Sequence, residues 1–183
     1  MPDKPSVLFL TNSELGQAAV HLAVAFEFLI RKDYKVHIAS FAPIDDALED
    51  LHRRLNQLPW ATGRPHFHRI NGPSMVEFVR KKTGVRGKFK AHPTGFCGAM
   101  KTYKSLLHPT IMPWDGMQFM EIYRDCEQIV QQVQPVVAVV DPLLLPAVDV
   151  CRTMGQRMVK LGPSTVLTHV RQPYLANLWK YPR

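Results

Sequence analysis

Cysteine is scarce in this sequence: Cys97, Cys126 and Cys151 are the three in 183 residues. An odd, widely spaced set with no C-x-x-C pair excludes a disulfide framework and a cysteine-based zinc site. A reducing, cytoplasmic setting is the expectation that follows. Long apolar runs are missing too. Nothing approaches the roughly 20 consecutive apolar residues of a membrane span, and Met1-Pro2-Asp3-Lys4-Pro5 leads into a strand-like run without a signal-peptide pattern. Neither G-x-G-x-x-G nor G-x-x-x-x-G-K-[ST] occurs, which argues against a dehydrogenase and a P-loop enzyme. Acidic residues vanish between Phe78 and Trp114, where Arg80, Lys81, Lys82, Arg86, Lys88, Lys90, Lys101 and Lys104 match the whole net charge of +8. That stretch reads either as a solvated basic insertion or as a patch for an anionic partner, such as an acidic membrane surface. Without a DNA- or RNA-binding motif, and with few aromatics, nucleic acid is not the expected partner.

What is present points to a single layered domain over 1–183. Hydrophobic residues make up 46% of the chain, enough for one sizeable core. Ser6–Thr11 is a short apolar run, read as a buried strand. Asn12 or Ser13 is positioned to cap the helix that follows, and Glu14 suits its positive end. Leu22, Ala25, Phe26, Leu29 and Ile30 then mark one helical face. Lys35–Phe41 reads as a second strand, Ala47–Leu58 as an amphipathic helix and His66–Ile70 as a third strand. Residues 73–115 are an irregular insertion. One helix is expected over Ser74–Lys82, and repeated Gly and Pro follow it. Phe119, Ile122, Tyr123, Cys126, Ile129, Val130 and Val133 form the strongest helical pattern, ended by Pro135. Val136–Val140 is an unbroken apolar run typical of a central parallel strand. Pro146–Met154 is a helix, and Arg157–Leu161 a fifth strand.

This alternation predicts an α/β, Rossmann-like parallel sheet of order 3-2-1-4-5 flanked by helices. Ligands of such sheets bind at the carboxyl ends of the strands, where the order reverses. The segments Asn12–His21 and Asp141–Pro146 border that point. Asp141 follows five apolar residues directly, so its carboxylate needs a partner: it either caps its own loop or serves a site. His21, early in the first helix, is either a surface or core histidine or a base able to take a proton from a substrate hydroxyl. His66 and His68 share a strand face, but no third ligand stands near, and no metal site is expected.

Read in order, several segments carry a resemblance. They are Val7-Leu-Phe-Leu-Thr-Asn12, Gly16-Gln-Ala-Ala-Val-His-Leu-Ala23, Val36-His-Ile-Ala-Ser-Phe-Ala-Pro43 and Phe67-His-Arg-Ile-Asn-Gly-Pro-Ser74. Met112-Pro-Trp-Asp115, Val139-Val-Asp-Pro-Leu143 and the stretch from Gln172-Pro-Tyr174 to Trp179-Lys-Tyr-Pro182 complete the set. Together they resemble the N-terminal domain of the family 1, UDP-dependent glycosyltransferases of GT-B fold, nearest to fungal members. The resemblance implies an acceptor-binding domain facing a second domain that grips the UDP-sugar, with no cofactor and with inversion at the anomeric carbon. Asp141 matches the aspartate that orients the family's catalytic histidine. Aligned on Gly16-Gln17, the base position itself falls on Ala19, two residues before His21. Acceptor contacts are implied at Gly16, Gln17, Ala19, Met112, Trp114, Pro142 and Ser164. The aromatic and Met content of 73–115 suits a small apolar acceptor, or else the packing of a long loop. No donor domain follows within these 183 residues. The chain alone is therefore expected to be inactive, and a non-catalytic subunit recruiting a separate donor-binding chain is the alternative.

Overall fold

The computed structural model describes residues 4–31, 33–58, 63–83, 95–102 and 112–163. Strands β1 (Ser6–Leu10), β2 (Lys35–Ser40), β3 (His66–Arg69), β4 (Val137–Val140) and β5 (Met158–Lys160) make one sheet of order β3-β2-β1-β4-β5. Every neighbouring pair is parallel, as the alternation predicts. The helices are α1 (Leu15–Arg31), α2 (Asp45–Asn56), α3 (Met75–Thr83), α4 (Gly95–Thr102), α5 (Gly116–Val133) and α6 (Leu145–Thr153). No helix among the described residues is long and apolar enough to cross a membrane.

The central strand shows why its residues are apolar without interruption. Side chains alternate across a strand, and both faces of β1 are covered. Val7 and Phe9 pack with Leu22, Ala25 and Leu29 of α1 and Leu48 and Leu51 of α2. Leu8 and Leu10 pack with Ile122, Cys126 and Ile129 of α5 and Ala147 and Val150 of α6. Cys126 and Cys151 are buried and free. Burial pushes the Cys151 thiol up to about 11 and the Cys126 thiol further still, so both behave as inert apolar residues.

Local chemistry sets the helix ends. Asp115 accepts from the Gln118 N–H at 2.9 Å, and Gln118 returns a bond to the Asp115 N–H at 3.2 Å, a capping box for α5. That helix stops at Gln134, whose φ of 46° is left-handed, just ahead of Pro135. Ser74 and Glu77 make a second capping box at the start of α3. Two expectations are corrected. Neither Asn12 Oδ1 nor Ser13 Oγ has a hydrogen-bond partner, so neither caps α1; Asn12 is turned instead toward the β4 loop. Within the insertion over 73–115, α4 forms at Gly95–Thr102, a helix that the Gly and Pro content does not suggest. Half of the basic run, Arg86, Lys88, Lys90 and Lys104, lies outside the described residues.

His66 and His68 do share a face, and β2 brings His37 beside them. His37 Nδ1 lies 2.9 Å from His68 Nε2, and its ring stacks on that of His66 at 4.9 Å. No group of three or more His, Cys, Asp or Glu among the described residues is arranged to hold a metal. Burial, then the neighbouring His68, His66 and Lys35, holds His37 down at about 4. The unfolded chain takes up that proton near 6.5, so between these values it binds more protons than the folded chain. The contribution to stability is complete above 6.5 and is lost as the pH falls toward about 4, reduced in size because the ring is partly solvated. Thermal unfolding should show a midpoint that drops across this window. His37→Asn should flatten the drop, and an unchanged slope would count against the account.

Candidate functional site

Backbone pairing continues one residue past the strands. Thr11 N donates to Ala39 O at 3.1 Å, Asp141 N to Leu10 O at 2.8 Å, Leu161 N to Val140 O at 3.0 Å and Ile70 N to Ser40 O at 2.9 Å. These bonds set the loops after β1, β3, β4 and β5 along one carboxyl edge, with the reversal of strand order between β1 and β4. Asp141 is fully buried there. Its Oδ2 accepts from the Asn12 backbone N–H at 3.3 Å and from Asn12 Nδ2 at 2.9 Å. Its Oδ1 accepts from the Leu143 N–H at 2.9 Å. The first of the two readings is seen directly: Asp141 caps its own loop through Leu143, and it also holds the opposite loop through Asn12.

His21 lies on the sheet-facing side of α1 with Ala18, Leu22, Ala25 and Leu29, and is 1% exposed. Its ring meets Phe9 edge-on, with centroids 6.3 Å apart. Nε2 is 2.8 Å from Leu161 O. A carbonyl oxygen only accepts, so Nε2 carries the hydrogen and Nδ1 holds the lone pair. Nδ1 has no hydrogen-bond partner. Burial pushes the imidazole below the usual histidine value of 6.5, opposed by the Leu161 carbonyl and by the charge of Asp141. The side chain is thus a neutral imidazole of fixed tautomer. The Asp141 carboxylate acts on it through space, without a hydrogen bond between them, because the hydrogen bonds recorded for Asp141 go to Asn12 and Leu143.

A pattern of unpaired atoms surrounds this pair. Asn12 Oδ1, Ser13 Oγ, Glu14 Oε2, Gln17 Oε1, His21 Nδ1 and Ser40 Oγ are buried without a hydrogen-bond partner among the described residues. All belong to the end of β2, the loop after β1 or the first turns of α1. Glu14 spends its other oxygen on the Val76 N–H, at 2.8 Å, tying this loop to α3. Native interiors pair nearly all their buried polar atoms, so this concentration makes the carboxyl edge the candidate site.

No family model matches the chain. Its sequence is 32% identical over 191 residues to the glycosyltransferase sdnJ of Sordaria araneosa, a match covering 98% of this chain and 36% of that protein. Solved structures share the fold. CalG4, the calicheamicin glycosyltransferase, superposes with a TM-score of 0.56 at 13% identity, over 98% of this chain and 37% of its own. Phytolacca americana UGT2, solved with UDP-2fluoro-glucose and pterostilbene, gives 0.57 at 15% identity, over 98% of this chain and 35% of its own. In sequence and in fold the chain is similar to the N-terminal part of family 1 glycosyltransferases. Its sheet is the Rossmann-like half of a GT-B architecture, and it spans 36% of the length of the curated relative it matches.

In this sheet the expected site residues fall into separate groups. Asp141 and His21 stand at the rim. Gln17, one helical turn before His21, shares its side of α1, and Gly16 is exposed at the helix start. Ala19 faces elsewhere: two residues turn a helix by about 200°, and Ala19 lines a groove of about 670 Å³ between α1 and α2 with Leu15, Phe26 and Ala47. Pro142 is exposed beside Gly162, where an added Cβ would come within 3.2 Å of the proline ring. Met112 is exposed, whereas Trp114 is a core residue, stacked on Phe41 at 6.1 Å and donating to Pro73 O at 2.9 Å. Ser164 lies outside the described residues. The sequence reading missed Asn12 as the partner of Asp141 and Leu161 as the partner of His21. Both bonds join positions more than a hundred residues apart, which no local pattern signals.

Removing the Asp141 carboxylate strands two buried N–H donors and the Asn12 amide. Asp141→Ala is expected to cost about 3 kcal/mol, with Asp141→Asn intermediate. Urea unfolding measures this; a loss under about 0.5 kcal/mol would show that the two loops do not depend on the carboxylate.

Proposed function

We propose that residues 1–183 form the acceptor side of an inverting glycosyltransferase that moves a sugar from a UDP-sugar to a hydroxyl of a small, apolar acceptor. The observation that carries this reading is the meeting of the β1 and β4 loops at one rim, joined by Asp141 and lined with unpaired polar atoms. The acceptor hydroxyl attacks the anomeric carbon of the donor, the bond to UDP breaks, and the hydroxyl proton passes to His21 Nδ1. Leu161 fixes the tautomer that leaves this lone pair free. The Asp141 charge favours the imidazolium that forms. Exposed apolar side chains of the insertion, Phe96, Met100 and Met112, support an apolar acceptor.

Two neighbours of the same fold were solved with UDP and with UDP-2fluoro-glucose, which supports a nucleotide-sugar donor. In this proposal the donor is a substrate gripped mainly by residues outside these 183, and no cofactor takes part. Positioning and charge stabilisation of the diphosphate supply most of the rate in such a transfer, so the 183-residue polypeptide alone should be inactive. A second reading is favoured by Ala19 at the expected base position and by the missing His21–Asp141 hydrogen bond: a non-catalytic subunit that recruits a separate donor-binding chain.

Purified 1–183 should give no turnover with UDP-sugars and phenolic or lipid alcohols, and joining it to a donor domain should restore transfer. Restored binding without transfer would favour the non-catalytic reading. In the joined protein the acidic limb of kcat/KM should lie below 6.5, because burial lowers the His21 value. That limb should disappear in His21→Gln, with kcat reduced about 10²-fold or more. A limb that persists in the variant would remove His21 from the role.

A further inference from the structure

We propose that Asn12 sets acceptor specificity by receiving a second hydroxyl of the acceptor, so that the preferred acceptors are diols or polyols; the inference rests on the acceptor-side reading above. The orientation of the Asn12 carboxamide is not ambiguous. Its Nδ2 donates to Asp141 Oδ2 at 2.9 Å, and its backbone N–H reaches the same oxygen. Turning the amide over would set two acceptors face to face, so Oδ1 is the end left without a partner. Asn12 is fully buried and Oδ1 is unpaired. His21 is fixed in the same manner: Nε2–H is spent on Leu161, leaving Nδ1 as a bare acceptor.

The rim therefore holds two acceptors whose identity is locked by partners on other strands. Beside them the hydroxyls of Ser13 and Ser40, equally unpaired, can turn to serve either role. A ligand made only of acceptors, such as an ether or ketone, leaves both locked atoms unmet. An acceptor with one hydroxyl satisfies one of them. An acceptor with two O–H groups satisfies both, the first giving up its proton at His21 in the transfer and the second staying bonded to Asn12. Asn12 is then a positioning residue: it touches the acceptor away from the reacting oxygen, and Asp141 acts through it. The small apolar acceptor of the proposed reaction is narrowed to one carrying a neighbouring hydroxyl.

The test is binding to the 183-residue chain, measured with phenolic, sterol and polyketide-type diols, each paired with its mono-O-methyl ether. The wild-type chain should bind each diol about three- to tenfold more tightly than its ether, the span expected for one hydrogen bond. Asn12→Leu should erase that preference. In the wild-type chain the side-chain amide resonances of Asn12 should shift with the diols and not with the ethers, a readout that needs no variant to fold. Equal binding of diol and ether, with the Asn12 resonances unmoved, overturns the assignment and leaves the acceptor-side reading standing. Binding of neither member removes the acceptor-side reading and this inference together.

Discussion

One buried carboxylate holds the functional edge of this domain together. Asp141 closes the turn after β4 through Leu143 and reaches across the reversal of strand order to both nitrogens of Asn12. A carboxylate at the end of an apolar strand is costly unless charge-assisted hydrogen bonds meet it. Here the partners lie on the neighbouring loop, so satisfying the charge and fixing the crevice are one event. The orientation of Asn12, and through it the atom offered to a ligand, depends on that arrangement.

The phase of α1 decides the other half of the site. Ala18, His21, Leu22, Ala25 and Leu29 face the sheet, while Ala19 and Ala23 face the groove toward α2. A histidine at position 19 would stand in that groove, on a different side of the helix from the residues bordering Asp141. At position 21 the ring is drawn under the rim, where burial keeps it neutral and a backbone carbonyl takes its single hydrogen. An imidazole held this way keeps a free lone pair on Nδ1, and its distance from bulk water strengthens the field of the nearby carboxylate. Its hydrogen-bond partner is a neutral carbonyl, so in the proposed transfer a positive charge on the ring would be met by Asp141 through space alone.

The sheet was legible because alternation and apolar runs are local signals that topology rules convert into strand order. Asp141 was legible for the same reason, since its place follows from counting five apolar residues before it. The burial of His21 was also in the pattern: it stands four residues before Ala25 and eight before Leu29, on the core face. Helix α4 was not legible, because Gly95 and Gly98 lower intrinsic helix propensity and the surrounding prolines dominate the reading. The burial of Trp114 depends on Phe41 and Pro73, and the role of Asn12 on a residue 129 positions away. Contacts of that span are decided by the fold as a whole.

The unpaired atoms bear on why the rim has this composition. A buried acceptor left unmet costs about 1–3 kcal/mol, and a domain of this size has only about 5–15 kcal/mol of stability in total. Six such atoms concentrated in one place would consume much of that margin if they were never met. Apolar residues at positions 13, 17 and 40 would remove part of the penalty without touching the bond between Asn12 and Asp141, and the apolar residues of the core show that this chain readily fills space that way. Polar side chains at those positions make physical sense when a bound molecule supplies the missing hydrogens. The two acceptors with locked orientation, Asn12 Oδ1 and His21 Nδ1, can only receive hydrogen bonds, and in the proposed reaction the hydroxyls of the acceptor alcohol are the donors that meet them.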